Sequence, residues 1–290
     1  MLKKFIKKLD MKRLIKFTAV LLALLNGALF TTEASAEERA EYKRIITELV
    51  KIKERPVVEI MLKAALLRQG TKYVAGTLEV EPERLVVKLE ETDCILYVES
   101  CLALALTARS SDTSYNAFCE NVKRLRYRNG KVDGYASRIH YTSEWIQQAE
   151  KNGLVKEVSR EIADTPLDQR FSFMSEHANR YRQLADAPKE ELEKISDMER
   201  RLNEQDYWYI PKADIERYAD RIKAGDIVGF CTSAKGLDLG HVGIIVSLDG
   251  KLTFIHASMD AMKVWIEPRT LQEYVNSFNS NIGIRIIRVL

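Results

Sequence analysis

The sequence predicts an α+β domain in which helices come first and an antiparallel sheet follows. Two observations carry that prediction. As far as about residue 222 the apolar residues recur at helical intervals. Past Ala224 the chain turns to short β-rich runs, "DIVGF", "HVGIIVSL", "KLTFIHAS", "KVWIEP" and "IGIRIIRVL". Helices grouped ahead of strands argue for an antiparallel sheet over the strand–helix alternation of a parallel one. Composition agrees, since 290 residues with 46% hydrophobic and 30% charged side chains suffice for a globular core. No composition break marks a second domain.

The first 36 residues do not read as part of that core. Lys3, Lys4, Lys7, Lys8, Lys12, Arg13 and Lys16 precede "FTAVLLALLNGALF", and Ala34-Ser35-Ala36 follows. A basic segment, a short apolar run and a small-x-small exit describe a secretory signal peptide. The apolar run is shorter than the roughly 20 residues a spanning helix needs. The expectation is therefore removal of 1–36, leaving 37–290 as one catalytic domain with no stable membrane span. The leader's seven cations and two acids come off totals of 45 and 42, leaving 38 against 40. With that near-neutral balance and no basic block, nucleic acid is excluded as a partner class.

Export also implies an oxidising compartment. Cys94, Cys101, Cys119 and Cys231 make an even count, for which two disulfides are the first reading. Cys94 and Cys101 would lie about 10 Å apart along one helix, too far to bridge each other. Without a C-x-x-C pair or zinc-finger spacing, a structural metal site has no support, and no cofactor is called for.

Taking the elements in order, 37–67 reads as helix, with Ile45, Leu49 and Ile52 and then Val58, Met61, Leu62, Ala65 and Leu66 at helical intervals, interrupted at Pro56. Gly70 ends it, "TKYVAGTLE" is a loop, and 85–89 is a candidate strand. The next helix is apolar nearly all round and hence buried. Thr92 or Asp93 serves as its N-cap, which places Cys94 in the first turn. Residues 110–222 read as charged helices and loops, with turns at Asn129-Gly130 and Asp133-Gly134. A helix runs through Trp145 to near Gly153, and further helical patterns cover 172–184 and 190–202.

Asp249-Gly250 between alternating apolar residues signals a two-residue type I′ hairpin. That turn pairs Leu248 with Lys251 and, counting back, Gly243 with His256. His241 shares a face with Gly243, so His241 and His256 become diagonal neighbours at about 7–8 Å between backbones. Taken singly, a strand histidine is usually a structural residue and a buried cysteine a packing one. A pair is what a relay needs: one ring moves a proton and the other fixes its orientation. A thiol suits such a pair once its pKa, about 8.5 when free, is lowered. A helix N-terminus and an adjacent imidazolium both do that. Cys94 has the first by position, and the helix-tip amides are also suited to an oxyanion.

These residues resemble a known group. "DC" opening an apolar helix, "GD" leading into a strand, then "HVGI" and "HAS" on successive strands are similar to the NlpC-type superfamily of bacterial cell-wall cysteine amidases and peptidases, whose fold is papain-like. "YVAGTLE", "TDCILYVE", "RYRNGKVDGYASRIHYTSEWI", "YIP" and "GDIVGFCTSAKGLDLGHVGI" resemble, more narrowly, its N-acetylmuramoyl-L-alanine amidase-like family, over about Tyr73 to Arg288. The chain departs from that family at Leu96-Tyr97, where Thr-Phe is usual.

The resemblance implies Cys94 as nucleophile, His241 as general base and later acid, and His256 as the residue orienting it. It implies a peptidoglycan or muropeptide substrate, cut between muramic acid's lactyl group and L-alanine, with anhydro-muropeptides as candidates, in the periplasm. Arg138 and His140 fall in the family-like "SRIHY" segment as contacts for a stem carboxylate or a sugar, with a structural salt bridge as the plainer alternative. Tyr73, Asp93 and Asp238 are candidates to line the cleft, although capping alone would explain Asp93. The competing functions are an endopeptidase cutting between D-glutamate and a diamino acid, a wall-binding protein without catalysis, and a zinc site of Cys94, His241 and His256.

Overall fold

Pro56 divides the first helical stretch, as its missing N–H and its ring require. The computed structural model describes residues 34–185 and 187–290. Within them α1 runs over Ala36–Val50 and α2 over Val57–Leu67, with Pro56 as the N-cap of α2. The expected leader lies outside the described residues except for its last three. There Ser35 Oγ accepts the Glu38 N–H at 3.0 Å and starts α1.

Two short strands follow, β1 (Lys72–Tyr73) and β2 (Glu91–Thr92). Residues 85–89, expected as a strand, join no ladder. Side chains take up the backbone groups that a neighbouring strand would have paired. The Leu89 N–H donates to Glu38 Oε2 at 2.9 Å, Leu89 O accepts from Arg68 Nη2 at 3.3 Å, and Val86 O accepts from Arg126 Nη1. The apolar run is real, but it packs as an extended segment under helices.

Next comes α3 (Cys94–Arg109), buried along nearly its whole length as its apolar surface demands. Asp93 is its cap, Oδ1 accepting the Leu96 N–H at 3.0 Å, which decides between the two expected capping residues. Around α3 lie α4 (Tyr115–Arg126) and α5 (Thr142–Lys151), followed by β3 (Val155–Glu157), α6 (Ser159–Ala163) and β4 (Thr165–Pro166).

The single helix expected over 172–184 is broken into α7 (Phe173–Glu176), a 3-10 turn and α8 (Arg182–Ala185). Its first turn is tied to other elements: Phe173 N–H to Gly236 O, and the Met174 and Ser175 N–H groups to Glu199 Oε1 on α9 (Lys189–Asn203).

The strands expected past residue 224 all form: β6 (Ile227–Thr232), β7 (Leu239–Leu248), β8 (Lys251–Ser258), β9 (Lys263–Ile266) and, after α10 (Leu271–Asn276), β10 (Asn281–Val289). They join β5 (Trp208–Pro211) and the shorter strands in one sheet of order β2-β1-β9-β8-β7-β6-β10-β5-β4, with β3 on β10. All pairs but β1–β2 are antiparallel.

Both faces of the sheet are covered. Val242, Ile244, Ile255 and Ala257 face a core shared with α3, while Phe230, Ile245, Phe254 and Ile286 face one shared with Leu271 and Val275 of α10. That double burial explains why β6 reads as a continuous apolar run.

Residues Ala34–Leu290 form one compact unit. Among the described residues no helix is long and apolar enough to cross a membrane. The disulfide expectation is corrected: all four cysteines are free, and Cys101 and Cys231 are buried as packing residues. Buried cysteine behaves as a small hydrophobe, and none of the four is bonded to another.

Candidate active site

The β7–β8 hairpin has the anticipated register. Leu248 pairs with Lys251 and Ile244 with Ile255 across Asp249-Gly250, both at positive φ (51° and 77°) as a type I′ turn needs. Gly243 then stands across from His256, close enough that an added Cβ would lie 3.3 Å from that of His256. The two imidazoles meet with His241 Nε2 2.6 Å from His256 Nδ1. One feature of β7 was not legible in the sequence. The β6–β7 register shifts between Phe230 and Cys231, pairing them with His241 and Leu239 and leaving Gly240 as an extra residue. Such a bulge re-aims the side chain beside it, here His241.

His256 is buried and its other nitrogen is engaged as well, Nε2 accepting the Trp265 indole N–H at 3.1 Å. Glu267 Oε2 lies 3.6 Å from the same nitrogen and is held by Arg269, whose Nε is 2.6 Å from Glu267 Oε1. Phe254 and Tyr274 close over the pair, with ring centroids 4.6 Å and 5.9 Å from that of His256. Burial in this aromatic setting pushes both imidazoles down to about 3, helped by His256 beside His241 and by Arg269 beside His256. Trp265 and Glu267 were missed because the β8–β9 connection carries no turn signature from which to count a register.

Cys94 stands in the first turn of α3, half-buried and free. Its thiol lies against the Val242 N–H of β7, next in the chain to His241, and near the N–H groups of Ile95 and of Cys94 itself. The fold thus brings the helix tip to the strand position beside the histidine pair. Burial nevertheless pushes the thiol up to about 12, with Asp93 adding to the effect and the three amides only partly opposing it. These directions run against the thiolate–imidazolium pair that the helix tip and an adjacent imidazolium would favour. The raised thiol and the lowered imidazoles both favour the neutral forms.

Three of the five secondary candidates line one cavity of about 210 Å³ at the same helix tip: Asp93, Arg138 and His140, together with Thr77, Glu79 and Trp145. Arg138 is buried and committed, its Nη2 3.0 Å from Glu79 Oε1 and its Nε 3.3 Å from Glu83 Oε1. The ring of His140 packs on Tyr135, and burial followed by Arg138 lowers its pKa to about 3. Burial likewise raises Asp93. Three buried atoms on the wall, Trp145 Nε1, Thr77 Oγ1 and Arg138 Nε, have no hydrogen-bond partner, the last being only an ion-pair neighbour of Glu83.

Tyr73 sits on β1 beside Cys94 and Asp93. Burial and these two neighbours raise its hydroxyl pKa. Asp238 is elsewhere than expected: it is buried, and its Oδ2 accepts the Ser143 N–H at 2.7 Å, so it caps α5 instead of lining the cleft. The start of a helix leaves amides to be satisfied, and a nearby carboxylate supplies the acceptor. A zinc site of Cys94, His241 and His256 does not fit either, because both nitrogens of His256 are already engaged.

None of the curated proteins compared matches the chain. An N-acetylmuramoyl-L-alanine amidase from Bacteroides uniformis ATCC 8492 is 36% identical, with a TM-score of 0.76 over 80% of this chain and 98% of its own. A protein from Bacteroides fragilis described as a putative xylanase is 35% identical, with a TM-score of 0.73 over 78% of this chain and 98% of its own. Protein LPG0564 of Legionella pneumophila, at 23% identity and a TM-score of 0.65 over 88% of this chain and 95% of its own, shares the fold. The AmiA-like family model, described as N-acetylmuramoyl-L-alanine amidase-like, matches residues 64–284, and the chain belongs to this N-acetylmuramoyl-L-alanine amidase-like family.

Proposed function

We propose that this protein is a cysteine amidase that hydrolyses the amide between the lactyl carbonyl of N-acetylmuramic acid and L-alanine in peptidoglycan fragments, with a papain-like arrangement of the NlpC type. The observation that carries the reading is a free thiol at a helix tip, set against the strand whose histidine is hydrogen-bonded to a second one. His241 uses Nε2 for His256, so Nδ1 is the nitrogen left for chemistry. As Sγ of Cys94 bonds to the carbonyl carbon, its proton passes to that nitrogen. Amides at the helix tip receive the oxyanion. The C–N bond then breaks, the alanine nitrogen takes the proton, and water hydrolyses the thioester to free the muramic acid and restore the thiol.

The cavity supports a sugar over a stem carboxylate. Arg138 is already paired with Glu79 and Glu83, and Arg126 with Glu99. What the wall leaves open is an indole N–H, a hydroxyl and the Arg138 Nε–H, whose guanidinium charge is already offset by Glu79 and Glu83; the first two suit an acetamido carbonyl and ring hydroxyls. Its volume of about 210 Å³ is below the usual range for a drug-sized ligand, so it fits one ring-sized group. A wall amidase of this kind, with the leader read from residues 1–36, works in the periplasm.

The test is mass analysis of the products from one anhydro-muropeptide and its non-anhydro counterpart. Release of sugar and an intact peptide is expected, with the anhydro form preferred and Cys94→Ala reducing turnover on the order of 10⁴-fold or more. A cut inside the stem would sink the assignment, as would full activity in Cys94→Ser.

A further inference from the structure

Two side chains of β9 converge on one nitrogen of His256. Trp265 stands directly opposite His256 in the β8–β9 ladder and donates its indole N–H to Nε2 at 3.1 Å. Glu267, two residues on and so on the same face, holds Oε2 3.6 Å from that nitrogen. Their demands conflict. An indole N–H only donates and an ionised carboxylate only accepts, so Trp265 requires a bare Nε2 and Glu267 a protonated one.

The conflict is transmitted to His241, because Nδ1 of His256 is bonded to His241 Nε2 at 2.6 Å. When Trp265 is satisfied, neutral His256 carries its proton on Nδ1 and donates it to His241 Nε2. Neutral His241 must then be protonated at Nδ1. When Glu267 is satisfied, His256 is protonated at Nε2, its Nδ1 accepts from His241 Nε2–H, and His241 Nδ1 is bare. Only the second arrangement has a lone pair for a thiol proton. The observed distances select the first, since 3.1 Å is a hydrogen bond and 3.6 Å is not.

We infer that Trp265 and Glu267 are positioning residues that choose the tautomer of the His241–His256 relay. In the arrangement the distances select, His241 Nδ1 is protonated, and activation moves the Nε2 contact of His256 from Trp265 to Glu267. The protons balance. The shared proton shifts from His256 Nδ1 to His241 Nε2, water takes the proton from His241 Nδ1, and water delivers one to His256 Nε2. Arg269 holds Glu267 in place by bonds of 2.6 Å and 3.1 Å to its two oxygens. The kinetic consequence rests on the reading of His241 as the base in amide hydrolysis, whereas the tautomer itself does not.

The experiment is nitrogen NMR of the full protein labelled with ¹⁵N-histidine, which distinguishes bare from protonated ring nitrogens, combined with steady-state kinetics. In the wild type at neutral pH, His256 is expected bare at Nε2 and His241 protonated at Nδ1. Trp265→Phe should move the His256 proton to Nε2 and raise kcat about fivefold at unchanged KM, the worth of one hydrogen bond. Glu267→Gln should keep the wild-type tautomers and lower kcat about tenfold or more, again without a change in KM. Benzothienylalanine at 265, which keeps the shape of indole without its N–H, repeats the first arm if the phenylalanine variant does not fold.

A protonated Nε2 on His256 in the wild type overturns the inference, and so do unchanged tautomers on loss of the indole N–H or wild-type kcat in Glu267→Gln. If the tautomers follow these expectations while muropeptides are not cut, the proposed reaction fails and the relay assignment stands.

Discussion

Cys94 and His241 have pKa values displaced in opposite directions by the same cause. Burial disfavours the charged form of each, so the thiol is pushed up to about 12 and the imidazole down to about 3. Both displacements favour the neutral pair, so in the proposed mechanism proton transfer would accompany attack instead of preceding it. The sign follows directly. Acid removes activity only where the imidazole becomes protonated, and alkali acts only where the thiol ionises. A plateau in kcat/KM across about pH 6–8 is expected, with alkylation of Cys94 by iodoacetamide still accelerating at the alkaline end. Alkylation already fast and flat on the acid side would show a standing ion pair and contradict this. The placement of these residues was legible, because a cysteine behind a capping acid and two histidines on one hairpin are local patterns. Their protonation was not, because it depends on Phe254, Tyr274 and Arg269, which only packing brings near.

The β7–β8 hairpin is the element that makes the site. Asp249-Gly250 sets its register, and the register alone brings His241 to His256. Gly243 is the residue that makes room: a Cβ there would come within 2.7 Å of Phe254 Cδ2 and 3.2 Å of Ile255 O. Phe254 is fully buried and has nowhere to retreat. Gly243→Ala is expected to cost about 1–3 kcal/mol in stability and to lower kcat by displacing His256, as checked by thermal unfolding and steady-state kinetics. Unchanged values in both would mean that the strands separate more easily than this register allows. Residues 85–89 show the opposite case. They have the composition of a strand, yet Glu38, Arg68 and Arg126 take up backbone groups that a ladder would have paired.

At the scale of the whole molecule, buried ion pairs join segments distant in sequence. Arg126 on α4 binds Glu99 on α3 at 2.6 Å, with side chains only 6% and 3% exposed, and Arg126 also donates to Val86 O. Arg126→Met strands a carboxylate in the interior and should cost about 3–5 kcal/mol, read as a lower denaturant midpoint. The double variant Arg126→Met with Glu99→Gln should recover much of that loss, since it removes the unpaired charge. Equal losses in the single and double variants would place the cost in packing instead.

The sequence by itself determined the five strands past residue 224, the cap that puts Cys94 at a helix tip and the hairpin that joins the histidines, because each depends on a periodicity or turn within a few residues. Tertiary structure decided that the helix tip meets β7 at Val242, that Asp238 caps α5, and that Trp265 and Glu267 share one nitrogen of His256. Those contacts join segments whose relative placement is set by burial on both faces of the sheet, which no local pattern specifies.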